Sequence, residues 1–202
     1  MMHGAPTAIL AASLTLIFGW CATAGAAPPR KTAAAPTVEM LVEKRGIIRI
    51  ELLPKEAPKT VAHILALIDR RFYNGILFHR VEAGFVAQAG DPESRKVDGE
   101  KLASLTPAEV SQTYRLGIGG SGKTVPLEAV ATCVRGTIGL GHGAGEDSGD
   151  SQFFFNLGNN HRLDNQYTVF GKVVRGAEVM DSIRQGDRIR YIRRTTPAAK
   201  GR

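Results

Sequence analysis

Two cysteines and one tryptophan are all that this 202-residue chain holds, and Trp20 and Cys21 stand side by side in its first apolar stretch. Cys133 is the only thiol beyond that stretch, so the rest of the chain has no internal disulfide and no second cysteine to share a metal. Charged side chains are missing from the first 29 residues altogether. His63, His79, His142 and His161 follow no metal-like spacing, and none stands beside a serine or cysteine in a nucleophile pattern. Gly141–Asp150 gathers three acids among glycines, but it lacks the alternating ligands and the closing glutamate of a calcium loop. A hydrolase or a metalloenzyme has little to stand on, and neither a cofactor nor a metal is expected.

The uncharged front has a positive reading of its own. Ala8–Cys21 is an apolar run, and the small residues of CATAGAAPP follow it. That is the pattern of a secretory signal over residues 1–26, cut after Ala26. No Lys or Arg precedes the run, so a retained N-terminal membrane anchor is the alternative, although the apolar part is short for a span. A lipidated Cys21 is disfavoured by the bulk of Trp20. The protein is therefore expected to be periplasmic or secreted, and to meet a membrane only if this segment is kept. A Pro/Ala linker follows at 27–36, then a domain over 37–195 and a basic tail over 196–202.

The net charge is +7, and Arg184 to Arg202 carries seven Lys/Arg against one Asp. A basic C-terminal edge with Tyr191 as its one aromatic offers no base-reading surface, so no nucleic-acid partner is expected. Hydrophobic residues make up 43% of the chain, enough for a core. With 23 glycines and 10 prolines, that core should be built from short strands and many turns.

Alternation predicts strands at Thr37–Val42 and Ile47–Leu53, joined by the turn Glu43–Gly46. The best helix signal starts at Pro58 and sets Val61, Ile64, Leu65 and Ile68 at helical spacing, with Arg70 and Arg71 at its end. Residues 92–125 read as irregular and polar, with one short helix at Thr106–Gln112. Strands resume at Thr137–Leu140, Ser151–Leu157, Thr168–Val174 and Arg188–Arg193, and a second helix over Ala177–Ile183 divides the last two. Such a series argues for an antiparallel barrel or a sandwich, and periodicity does not choose between them.

Gly117–Thr124, GIGGSGKT, fits the phosphate-loop pattern in full. That motif needs a buried strand before it and a helix starting inside it. Here a polar segment precedes it and Pro126 follows two residues after Thr124, so a glycine-rich surface loop is the reading adopted.

The chemistry concentrates in Phe78–Asp91, FHRVEAGFVAQAGD. Read as two strands joined at Glu82–Gly84, it sets Arg80 among apolar neighbours, with Phe85 five residues on and Gln88 three further. One polar handle in an apolar setting suits a pocket for an uncharged group. The plain alternative is a hairpin with a solvated arginine.

These residues resemble a known family. Phe78–Asp91 fills every fixed position of the cyclophilin segment F-H-R-x-x-x-G-F-x-x-Q-x-G-D. Ser151–Phe154, Leu163-Asp164 and Val169–Val173 resemble that family's second signature in order and spacing. Ala57–Val61 and Phe72–Gly75 match as well, so the likeness runs from about Thr37 to Thr195. It implies a mainly β fold, a closed eight-stranded antiparallel barrel capped by two α-helices, acting as a monomer. It also implies peptidyl-prolyl cis-trans isomerase activity on proline-containing segments of client proteins. By the same resemblance Arg80 matches the catalytic arginine, and Phe85, Val86, Phe154 and Leu163 match the walls of a proline pocket. Gln88 and Gly141 match positions that meet the peptide backbone. Tyr167, also expected to bind substrate, stands where animal members usually carry His. Arg162 stands where many members have Trp or Phe, which should weaken cyclosporin binding. Val86 replaces a frequent Met, Gly141-His142 an Ala-Arg or Ala-Asn pair, and Pro92–Gly117 is longer than the family's usual segment. A peptide-binding or chaperone-like module without catalysis is the rival reading of the same barrel.

Overall fold

Strand β1 (Thr37–Val42) turns back through Lys44 and Gly46, both at positive φ, into β2 (Gly46–Leu52). Alternation then sends Val38, Met40 and Val42 of β1, and Ile48, Ile50 and Leu52 of β2, into the core. Pro58 opens α1 (Pro58–Asp69) at its first turn, where a missing N–H costs nothing, and Val61, Ile64, Leu67 and Ile68 are buried against the strands. β3 (Arg80–Glu82) and β4 (Val86–Ala89) form the expected hairpin. Further on come β5 (Thr137–Leu140), β6 (Phe153–Asn156) and β7 (Val169–Arg175), and then a helix and β8 (Ile189–Arg194). The computed structural model describes Met1 and residues 35–195; the expected signal segment, most of the linker and the basic tail lie outside the described residues. Among the described residues no helix is long and apolar enough to cross a membrane.

All eight strands join one antiparallel sheet in the order β3-β4-β6-β5-β7-β2-β1-β8. This curved sheet is a half-barrel, which corrects the expectation of full closure. β3 is three residues long, and the segment before it is bent by the turn at Tyr73–Gly75, so β3 and β8 never form a ladder. Their seam is crossed by one bridge, Leu77 to Arg188, with flanking bonds from Ile189 N–H to Ile76 C=O (2.8 Å) and from Phe78 N–H to Asp187 C=O (2.9 Å). Inside the curve Tyr73, Phe78, Phe153 and Phe155 pack through edge-on and stacked ring contacts.

The described residues hold four α-helices, the three read from the sequence, including the short one expected at Thr106–Gln112, and one more. In addition to α1, there are α2 (Gly99–Ala103), α3 (Pro107–Tyr114) and α4 (Ala177–Ser182). The first two occupy the long segment read as mostly irregular. Asp98 caps α2, and Thr106 with Glu109 makes a reciprocal capping box at α3. Leu102, Val110 and Leu116 close a second small core over Leu77, beside the seam. Gln185 Nε2 donates to the carbonyls of Leu102 (2.8 Å) and Leu105 (2.6 Å), and Gly99 meets the Gly186 backbone too closely for any Cβ. This segment lies across the place where the sheet fails to close.

Three arginines of the basic edge pair with acids, and the edge's own Asp187 is taken by Arg45 from the β1–β2 turn. Arg193 pairs with Glu39 (2.8 Å), Arg194 with Asp69 (2.7 Å), Arg190 with Glu43 (3.5 Å) and Arg45 with Asp187 (2.8 Å). Cys133 is buried and unpaired, and burial first, with the Asp164 charge second, pushes its thiol up to about 11. That thiol is inert near neutrality.

Candidate active site

Four strands set one transverse row of residues on the face of the sheet away from the core. Register pairs Arg80 on β3 with Gln88 on β4, Gln88 with Phe154 on β6, and Phe154 with Gly139 on β5. Cross-strand partners share a face, so the row is continuous. Their chain neighbours Ala87, Ala89, Phe153 and Phe155 point the other way and are buried in the core. Gly139 belongs to the row because it lacks a side chain: a Cβ there would clash with the near edge of the Phe154 ring.

A cavity of about 130 Å3 opens over this row, lined by Arg80, Phe85, Val86, Gln88, Gly141, His142, Phe154, Leu163 and Tyr167. All eight residues singled out in the sequence are brought together there, and His142 joins them. Tyr167 stands edge-on to Phe154 (5.3 Å between centroids) and is stacked on His142 (4.6 Å). His142 is fixed by contacts from its ring nitrogens to the carbonyls of Gly143 (3.0 Å) and Gln166 (2.8 Å). The Phe85 carbonyl accepts from the Leu157 amide and from Asn160 Nδ2, both at 2.9 Å, which anchors the hairpin turn to the strand behind it.

Arg80 is held on two sides. Glu82, two residues along the same strand face, takes its Nε (2.7 Å) and Nη2 (2.6 Å), while Nη1 points to Gln88 Oε1 at 3.4 Å. Gln88 Nε2 in turn donates to Gln152 Oε1 (2.9 Å), and Gln152 Nε2 to the Gly119 carbonyl (2.8 Å). Neither Glu82 nor Gln152 was singled out in the sequence. The signal for Gln152 was its place in the Ser151–Phe154 run; for Glu82 it was the two-residue spacing from Arg80 on a strand.

The phosphate-loop lookalike has another use for its amides. Gly117 N–H (2.8 Å) and Gly119 N–H (2.9 Å) donate to Asp91, while Gly122 N–H (2.8 Å) and the Ser121 hydroxyl donate to Asp150. Two protein carboxylates thus occupy the donors that would cradle phosphate. The loop walls a second cavity of about 360 Å3 that shares Gln88, Gly141 and His142 with the first.

His79, between the core residue Phe78 and Arg80, is buried with neither ring nitrogen hydrogen-bonded. Burial, opposed by Asp91, pulls it down to about 4. A base whose folded value lies below its unfolded value leaves the unfolded chain protonating first, so stability is complete above about pH 6.5 and drains as pH falls toward 4. The expected loss is about 3 kcal/mol over that window. Urea midpoints across this range should fall steeply in the wild type and more gently in His79→Leu; parallel profiles would refute it.

The fold and the site define a class: a small antiparallel half-barrel with a cavity of mixed lining on its outer face, walled on one side by Phe85, Val86, Phe154 and Leu163, and a guanidinium at the cavity's edge. Comparison with known proteins names that class. Residues 37–199 match the model of the family described as cyclophilin type peptidyl-prolyl cis-trans isomerase/CLD. A probable peptidyl-prolyl cis-trans isomerase of Brucella suis is 38% identical over 178 residues, covering 87% of this chain and 83% of that relative. Peptidyl-prolyl cis-trans isomerase B of Bacillus subtilis is 35% identical over 156 residues, 76% of this chain and 94% of the relative. Among solved structures, a cyclophilin-type isomerase of Cryptosporidium parvum superposes with a TM-score of 0.64 at 23% identity, covering 80% of this chain and 98% of that one. The same protein in the presence of the dipeptide Ala-Pro gives 0.63 at 22% identity, with 79% and 99% covered. The chain belongs to the cyclophilin-type peptidyl-prolyl cis-trans isomerases and is an enzyme of that class.

Proposed function

We propose that the cavity over Phe154 takes the proline ring of a client segment and that Arg80 drives rotation of the bond before it. The observation that carries this is the row Arg80–Gln88–Phe154, which sets one charged donor beside the apolar wall of Phe85, Val86, Phe154 and Leu163. Rotation about an Xaa–Pro bond faces a resonance barrier of about 18–20 kcal/mol and breaks no covalent bond. Phe85, Val86, Phe154 and Leu163 grip the ring and exclude water. As the amide twists, its nitrogen becomes pyramidal and exposes a lone pair, to which Arg80 donates. That bond exists only away from planarity, so it favours the transition state over either ground state. Gln88 orients the guanidinium, as its contact with Nη1 suggests, and Gly141 meets the client backbone. The flanking residues of the client run across the adjoining larger cavity, which shares three lining residues with the first. An Ala-Pro dipeptide accompanies one of the structural relatives, which supports a proline-containing client.

The uncharged, apolar front of the chain supports export, with unfolded exported polypeptides as clients. Intact mass of the exported protein should show cleavage after Ala26; full-length mass in a membrane fraction would refute cleavage. For the activity, cis-to-trans conversion of an Xaa-Pro peptide, read by a protease-coupled assay or by NMR exchange, should speed in proportion to added protein. No rate above the uncatalysed one would sink the mechanism.

A further inference from the structure

Arg162 is held at the edge of the cavity by its contact with the Phe85 ring. It sits inside the 3₁₀ turn His161–Leu163, directly before the cavity wall residue Leu163. Its guanidinium lies 4.3 Å from the centre of the Phe85 ring, and that of Arg80 lies 5.7 Å from the same ring. Arg80 is neutralised by Glu82 at 2.6 Å. Among the described residues no carboxylate stands within 4.0 Å of Arg162. Asp164, two residues on, is held by the Cys133 amide (2.7 Å) and His161 Nδ1 (3.0 Å). Arg162 is exposed, and among the described residues its side-chain N–H groups donate to nothing, so they are open to a ligand. The contact of its cation with the Phe85 ring keeps those donors at the cavity's edge.

We propose that Arg162 is a specificity-determining residue, selecting proline segments that carry an acidic side chain close to the proline. A planar fork with open N–H groups matches a carboxylate two bonds at a time. Glu82, the carboxylate at this edge, is already matched by Arg80, so the charge left over is that of Arg162. The inference rests on the reading that the proline ring lies against Phe85.

The test uses peptides that differ only by Glu, Gln, Lys or phosphoserine at each position within two residues of the proline, compared as pairs with Gln and assayed with the full chain. For at least one position the Glu peptide should show kcat/KM about fivefold higher at low ionic strength, the upper end for a partly exposed ion pair. High salt should erode that ratio. In R162Q it should fall to about one, and in R162E it should invert in favour of Lys over Gln. Using a ratio cancels any general change in activity that the substitution brings. A ratio near one at every position in the wild type would overturn the inference, as would a ratio that survives in R162Q. Selection of phosphoserine without selection of Glu would overturn it too. Calorimetric binding of the same peptides yields the ratio independently of turnover. A flat ratio with normal turnover therefore sinks this inference alone, and a clear binding ratio without turnover sinks the isomerase mechanism alone.

Discussion

Arg80→Ala should lower kcat/KM for an Xaa-Pro peptide by about 10²–10³, the loss seen when a donor aimed at transition-state charge is removed. That corresponds to about 2.7–4 kcal/mol, the scale of one charged donor lost from beside an apolar wall. Its melting temperature should stay near that of the wild type. The Arg80–Glu82 pair is partly exposed on both sides (38% and 41%), and such pairs contribute at most about 1 kcal/mol to stability. Activity and stability therefore separate at this residue. Arg80→Lys should recover little, because a point charge cannot serve Glu82 through one edge and Gln88 through another. Arg80→Ala with kcat/KM within about tenfold of the wild type would remove the arginine from the mechanism.

The sequence spelled out this site better than it spelled out the framework around it. Arg80, Gln88 and Phe154 share one face because strand alternation, once β3, β4 and β6 are paired, leaves them no other, while Phe85 lies in the turn before β4 and was legible only through its place in the family segment. Register also explains why residues 74 positions apart in the chain, Arg80 and Phe154, meet over one cavity. Closure of the sheet was not legible, because it turns on a bend before Arg80 and a single bridge at Leu77. The five residues of α2 are too few to show a period, and what stabilises them is a cap at Asp98 and packing of Leu102 under a distant segment. α3 was easier, since Thr106, Pro107 and Glu109 spell its start. At Gly117–Thr124 local pattern and tertiary use diverge: the amides of a phosphate loop are there, and Asp91 and Asp150 occupy them. Only the fold shows which anion such a loop receives.

Gly139 yields the second large expectation, through a residue that touches no client. Gly139→Ala should reduce kcat/KM by about 10–100-fold, comparable to a misplacement of about 1 Å at a reacting centre. Its backbone is not in the left-handed region, so alanine is acceptable to the chain itself and the effect is one of contact. The added methyl would overlap three atoms of the Phe154 ring. Beneath the ring lies strand β5, and Tyr167 stands edge-on at 5.3 Å. The open direction is the cavity of about 130 Å3 that the ring lines. Phe154 would therefore move into the space assigned to proline and narrow it. Overpacking of this kind also costs about 1–3 kcal/mol of stability. A shorter, more flexible side chain at 154 should relieve the clash, so Gly139→Ala with Phe154→Leu should melt above Gly139→Ala alone, a non-additivity expected of residues in contact. Activity need not return with it, since leucine offers no flat wall to a proline ring. Wild-type kcat/KM and melting temperature in Gly139→Ala would show that the ring has another place to go.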